Sequence, residues 1–512
     1  MTVPPGSGDV DRFRRIVARR LGLSFDDARL GFLAEVLGRR VEALGQPCEV
    51  YLGRLESLPP ARDELRALAT DLTVTETYFF RNPDQFRALA QSALASRLIA
   101  RASVRKLSLL AAGCASGEEA YSLAISLRDL LPDPSWVLSI RAVDVNPTML
   151  EKARRARYSA WSLRETPAEV QRRWFTQEGR EFVLDRSVSG AVAFEERNLT
   201  GDDPDLWVPE AYDVVFCRNV IMYLTPDHAA SLMKRITRAL MPGGYLFLGH
   251  AETLRGLSQD FHLEHTHGTF YYRRRTAAGH DEMRDEPATA ATGAGTLPPL
   301  PALVEAAGTW VEAIARAADR IQALSDRPQG ARPAHPVPLA PGARPAWDLG
   351  RSLELLKNER FADALEVVET LPPESARDPE VLLLRAVLLT HRGQFASAAA
   401  VCTGLLQLDE LHSGAHYLLA LCREGAGDGP GAVEQNRIAV YLDPGFAMPR
   451  LHLGLLARRA GDDPAARLEF EQALRLLQQE DASRLLLFGG GFSRQALVDL
   501  CRAELIACGG RP

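Results

Sequence analysis

Apolar residues keep helical spacing through the first 85 residues, as in Val10, Phe13, Ile16 and Val17, then Leu30, Leu33, Val36 and Leu37. Positions recurring at three and four residues mark one buried face of a helix, so residues 1–85 are predicted to form a helical domain. From about residue 105 the pattern changes. Short apolar runs alternate with helical stretches: Lys106–Ala112, Ser139–Val143, Ala191–Phe194, Asp213–Cys217 and Tyr245–Gly249. Most lack polar alternation, as strands buried on both faces do. Strands separated by helices predict an open, doubly wound α/β sheet over residues 86–275. Phe261–Arg273 carries Gly268 between two strand-like runs and predicts a closing hairpin.

Residues 276–345 are rich in Ala, Gly, Pro and Thr and read as a flexible linker, broken by one helical segment at Ala302–Leu324. A repeat follows over 346–480. Gly393, Gly427 and Gly461 are spaced by 34 residues, as are Ala386, Ala420 and Gly454, and Ala398, Ala432 and Ala466. An earlier, weaker unit carries Ser352, Phe361 and Ala364 at matching places, and Phe395 answers Phe361. Small residues at fixed offsets in a period of about 34 let paired helices approach closely, the tetratricopeptide (TPR) pattern. Residues 481–512 are expected to supply a capping helix. The fold class predicted is therefore multidomain, α and α/β: a helical domain, a Rossmann-like sheet and an all-α TPR superhelix.

Composition narrows the function classes. A chain of 512 residues is too long for one hydrophobic core. A net charge of -6 argues against a general nucleic-acid binder, which needs a basic excess to neutralise phosphates. No apolar run reaches the ~18 residues of a membrane span, and Met1–Gly8 lacks the basic and apolar regions of a signal peptide. Seven scattered cysteines, with no Cys-x-x-Cys pair, suit a reducing compartment. The expectation is a soluble, cytoplasmic chain with no membrane insertion.

The candidate chemistry lies at strand ends. The first strand runs into Gly113-Cys114-Ala115-Ser116-Gly117-Glu118-Glu119, the strand–glycine loop–helix junction where doubly wound folds bind ligands. Neither a P-loop nor a Gly-x-Gly-x-x-Gly fingerprint is present. Two glutamates would repel a phosphate but suit a cation such as S-adenosylmethionine. They also suit the first turn of a helix, where the dipole favours acids, and both readings stand. Asp144 ends the second strand, where an acid accepts hydrogen bonds from ribose hydroxyls or caps the helix beginning near Pro147. Cys217-Arg218-Asn219 ends the fourth strand and faces the same crevice. His262, His265 and His267 alternate along the closing hairpin, which would split them across its faces, so they read as strand residues and no metal site is expected.

These motifs, in order, are Thr75-Glu76-Thr77-Tyr78-Phe79-Phe80-Arg81, Gly117-Glu118-Glu119-Ala120-Tyr121-Ser122, Asp144, Asn198-Leu199, Cys217-Arg218-Asn219 with Tyr223, and Pro242-Gly243-Gly244 leading to Gly249-His250-Ala251-Glu252. Over residues 10–275 the chain resembles the CheR family of chemoreceptor glutamate methyltransferases. The resemblance implies S-adenosyl-L-methionine as cofactor, bound by Thr75, Thr77, Arg81, Gly113, Glu119, Asp144, Asn198, Leu199, Arg218 and Asn219. Glu119 would hold the amino-acid end, Asp144 the ribose, and Asn198 and Leu199 the adenine. Arg81 and Tyr223 would be catalytic, beside the transferring methyl. It also implies a small β-subdomain at about 158–195, which in part of the family binds a tethering peptide of the receptor. Here the Phe175–Val183 loop is shorter than in the enteric members, which counts against tethering, and Thr75 replaces the Asn of some relatives.

The implied substrates are glutamates on the cytoplasmic helices of methyl-accepting chemoreceptors, modified to methyl esters in chemosensory adaptation. A glutamate is already ionised at neutral pH, so no general base is needed, consistent with the lack of an obvious catalytic histidine. The arginines of the first helices, Arg12, Arg14, Arg15, Arg19, Arg20, Arg39 and Arg40, form either a solvated face or a dock for an acidic receptor helix. The TPR module implies a further protein partner of unknown identity. A rival reading is a non-catalytic TPR adaptor with a degenerate methyltransferase fold.

Overall fold

The computed structural model describes residues 5–276 and 349–509, apart from short breaks at 58–61, 132, 359, 372–374, 376 and 491. The expected linker and its helical segment at Ala302–Leu324 lie outside the described residues. The chain divides into two compact units, Met1–Gly295 and Thr296–Pro512.

The first unit opens with four helices, α1 (Ser7–Leu21), α2 (Leu30–Leu44), α3 (Cys48–Glu56) and α4 (Arg62–Leu72). Their apolar faces meet in a core that includes Phe13, Val17, Leu33, Leu37, Leu52 and Leu68. Left-handed Gly22 and Gly45 end α1 and α2, a conformation that costs glycine little. Inside this bundle Glu64 accepts two bonds from Arg40, at 2.6 and 2.8 Å, and one from Tyr51 at 2.7 Å.

A seven-stranded sheet follows. Its strands are β1 (Lys106–Ala112), β2 (Val137–Asp144), β6 (Val192–Glu196), β7 (Tyr212–Cys217), β8 (Leu240–Leu248), β9 (Phe261–Thr266) and β10 (Thr269–Arg274), in the order β6-β2-β1-β7-β8-β10-β9. The first five are parallel, and the hairpin β9–β10 closes the edge antiparallel to β8. Every residue of β7 is buried, which explains its unbroken apolar run. The order reverses between β1 and β7, and it is there that the crevice opens.

An insert between β2 and β6 forms its own antiparallel sheet from β3 (Arg157–Ser159), β4 (Phe175–Glu178) and β5 (Glu181–Leu184), in the order β3-β5-β4. Only Gly179 and Arg180 join β4 to β5. The segment linking α4 to the sheet is fastened to this insert: Phe79 packs edge-to-face on Tyr158 and Phe175, and its N–H donates to Ser162 O at 2.9 Å.

Among its described residues the second unit contains four helix pairs: Leu349–Lys357 with Phe361–Glu369, Pro379–His391 with Phe395–Leu408, Ser413–Gly425 with Gly429–Leu442, and Ala447–Arg459 with Asp463–Gln479. This is the all-α repeat packing that the 34-residue period predicts. Gly393, Gly427 and Gly461 take positive φ in the turns within three pairs. A Cβ on Gly454 would lie 2.6 Å from the Phe470 ring, which shows why that offset must stay small. Where one capping helix was expected, two form, Ala482–Phe488 and Arg494–Ala507. The first returns to pack on the Pro379–His391 helix. Its Phe488 ring meets Tyr417 and Phe446 at 6.0 and 5.2 Å between centroids, and Arg484 pairs with Asp443 at 2.5 Å.

No helix among the described residues is long and apolar enough to cross a membrane.

Candidate active site

The glycine loop is shaped by two positions. Gly113 has φ +82 and Gly117 φ +91, and neither has room for a Cβ. A Cβ on Gly113 would lie 2.4 Å from Val220, and one on Gly117 would lie 2.8 Å from Ala153. The two glutamates that follow part company. Glu118 turns inward and accepts from Ser116 Oγ at 2.7 Å and from Ser162 Oγ at 3.2 Å, which ties the loop to the insert. Glu119 turns to the crevice. Its Oε2 lies 3.3 Å from Arg218 Nη1, while its buried Oε1 has no hydrogen-bond partner among the described residues. Burial pushes the Glu119 pKa up, opposed by Arg218 and Arg81.

Asp144 is a pivot. Its Oδ2 accepts from Ala115 N and its Oδ1 from Asn146 N, both at 2.8 Å, so it fixes the loop beside the crevice that it lines. Capping of the next helix falls instead to Asn146, whose Oδ1 accepts from Met149 N. The side chain of Asn198 is also committed. Nδ2 donates to Arg20 O at 3.1 Å and Oδ1 accepts from Thr200 N and Oγ1, so the amide fastens α1 to the sheet.

Arg218 is 4% exposed. Its Nη2 donates to Arg81 O at 2.7 Å and to Asn82 Oδ1 at 2.5 Å, clasping the chain that carries Arg81. Asn219 has φ +56. The turn it begins is held by Glu252, which accepts from the N–H groups of Asn219 and Gly249 at 2.7 Å, Val220 at 2.8 Å and Met222 at 3.3 Å.

The resulting crevice has two lobes that share Val74, Gly113, Ala115 and Asn219. The larger encloses about 830 Å³ of space open to solvent, between Thr75, Asp144, Asn198, Leu199 and Tyr223 on one side and Leu21, Leu23, Phe25 and Arg29 on the other. The smaller, about 460 Å³, is polar and lined by Thr77, Tyr78, Arg81, Glu119 and Arg218. All the expected site residues line one lobe or both. Arg81 and Tyr223, both expected beside the transferring methyl, line different lobes.

Sequence reasoning missed Glu252 and the wall from α1 to Arg29. Glu252 ends the Gly249-His250-Ala251-Glu252 motif, and an acid three residues after that glycine is a signal. The wall carried none. It forms because Gly22–Phe25 runs against Tyr223–Thr225, with Ser24 N donating to Tyr223 O at 2.8 Å and Thr225 N to Gly22 O at 2.9 Å.

The lobes fit a cationic nucleoside: an apolar slot for a base, an acid at a strand end for a ribose, and an unpaired buried carboxylate oxygen for an ammonium. Residues 75–270 match the family model described as "CheR methyltransferase, SAM binding domain". The chain is 31% identical over 267 residues to a chemotaxis protein methyltransferase of Klebsiella aerogenes, covering 51% of this chain and 88% of the relative. It is 33% identical over 211 residues to one of Vibrio parahaemolyticus, covering 39% and 73%. Over 482 residues it is 29% identical to the probable biofilm formation methyltransferase WspC of Pseudomonas aeruginosa, covering 91% of this chain and 98% of that one. The chain belongs to the CheR methyltransferase family.

Proposed function

We propose that this protein transfers a methyl group from S-adenosylmethionine to glutamate carboxylates of chemoreceptor-type signalling proteins. The observation that carries the reading is the polar lobe, where Arg81 lies near the unpartnered buried oxygen of Glu119. Glu119 would hold the cofactor's ammonium, Asp144 its ribose, and the slot beside Leu199 its adenine; Thr75, Thr77 and Gly113 would line its path. When bound, that cofactor supplies an electrophilic sulfonium methyl. The protein's part is alignment and exclusion of water. Arg81 orients the incoming carboxylate and Tyr223 shapes the passage. Arg218 and Asn219 hold the crevice in form. A substrate that arrives ionised needs no base.

The basic face narrows on inspection. Arg12 pairs with Glu56, Arg14 with Asp11 and Asp27, Arg40 with Glu64, and Arg20 donates to carbonyls at the end of α3. Arg15, Arg19 and Arg39 remain exposed, and they are our candidates for docking an acidic receptor helix. The relative that spans nearly the whole chain, repeats included, is named for biofilm formation, whereas the chemotaxis proteins cited cover about half of this chain or less. This favours a receptor of a biofilm-formation pathway, with the repeats recruiting a protein partner of that system.

The test is transfer of tritiated methyl from the cofactor into candidate receptors, with base-labile label mapped to glutamates. Arg81→Ala should abolish transfer and keep most cofactor affinity. Near-normal turnover in that variant would remove Arg81 from the mechanism.

A further inference from the structure

Trp161 is 70% exposed, an unusual place for so large an apolar ring, and its neighbours account for it. The Arg164 guanidinium carbon lies 4.3 Å from the Trp161 ring centroid and 3.5 Å from that of Tyr78. The cation thus lies over an aromatic ring of the insert and over one of the segment leading to Arg81. Arg164 Nη1 donates to Trp161 O at 2.8 Å, and its Nη2 lies 3.7 Å from the Glu76 carboxylate. Arg81 is built from the same parts. Its guanidinium carbon is 5.6 Å from the Tyr78 centroid, and its Nη1 donates to Glu76 O at 3.1 Å.

The backbone of this segment is already fixed at Phe79 by Ser162 O, at Phe80 by Ser122 Oγ and at Arg81 by Arg218. Those bonds set where Arg81 begins, not where its guanidinium ends. The far end rests on Tyr78 and on the Glu76 carbonyl, and Arg164 touches both residues. We propose that Arg164 is a positioning residue for Arg81, acting through Tyr78 and Glu76, with Trp161 as the outer plate of the stack. The insert would then contribute to the transfer step itself, independently of any tethering peptide. This proposal rests on the methyl-transfer reading above.

The experiment uses the full chain with Arg164→Ala, Arg164→Lys and Trp161→Ala. Displacing an orienting group by a fraction of an ångström to 1 Å lowers turnover on the order of 10- to 100-fold. The expected result for Arg164→Ala is a kcat loss of that order, with the Kd for S-adenosylmethionine and the Tm unchanged. Arg164→Lys should restore much of the rate, because an ammonium also binds an aromatic face. Trp161→Ala, at an exposed site, should move kcat the same way by less. Unchanged kcat in Arg164→Ala would overturn the proposal, as would a loss that merely follows cofactor affinity and Tm. Hydrogen exchange over residues 75–82 gives a separate readout and should rise in Arg164→Ala. If the wild-type protein methylates no carboxylate, the methyl-transfer reading fails. Raised exchange would still support the stack's hold on this segment, and unchanged exchange would overturn it.

Discussion

Replacing Glu252 with Gln tests how the crevice is held. The carboxylate is 4% exposed and accepts four backbone N–H groups, two on each oxygen. Glutamine keeps the shape but turns one acceptor into a donor. The amide will settle with its NH2 toward the weaker pair, Val220 N and Met222 N, leaving two partly buried N–H groups facing a donor. A fully buried unsatisfied donor costs about 1–3 kcal/mol and these two are partly solvated, so the total loss should be about 1–3 kcal/mol. Against a typical stability of about 5–15 kcal/mol, the unit should stay folded while this turn loosens. Urea unfolding measures the first effect. Calorimetric titration with S-adenosylmethionine measures the second, because Arg218 and Asn219 lie at the head of the turn and line the crevice. A loss below about 1 kcal/mol with unchanged cofactor affinity would refute the view that this carboxylate holds the site.

Two other perturbations read different parts of the molecule. Gly113→Ala places a methyl 2.4 Å from Val220 at φ +82; cofactor affinity should fall about tenfold or more, from left-handed strain and the clash together, as read by calorimetry, and unchanged affinity would mean that the loop adapts freely. Burial raises the Glu64 pKa, but the bonds from Arg40 and Tyr51 outweigh it and hold the group below the ordinary glutamate range. That stability is present above the ordinary pKa and is lost as pH falls through the lower folded value. Glu64→Gln should therefore cost about 2 kcal/mol near neutral pH, from charge-assisted bonds, and converge with wild type in acid; thermal unfolding across pH checks this, and a gap that persists in acid would contradict it.

The strands were legible because parallel sheets bury whole runs, and Tyr212–Cys217 shows the signal in full. The repeats were legible because three sets of small residues kept one period. The site was legible only as far as local order reaches. The sequence offers Glu118 and Glu119 as equals, and only the packing of Ser116 and Ser162 turns one inward. Asn198 looks like a free amide until Arg20, far away in sequence, takes its N–H. The arginines of α1 look like one basic face, but Arg12 and Arg20 are spent on partners at the end of α3 and Arg14 on Asp27. In each case the missing information was a contact between distant segments, which neither periodicity nor a motif encodes.

An open solenoid transmits stability from neighbour to neighbour, so damage at one end fades along the array. The second unit is built otherwise. Its Ala482–Phe488 helix crosses back to the Pro379–His391 helix, with Phe488 against Tyr417 and Phe446. The array behaves as a clasp whose hook is its own tail. Shortening the chain at 480 would then loosen helices a hundred residues upstream, and the three pairs from Pro379 to Gln479 would fold and unfold as one cooperative block, not as a fraying stack.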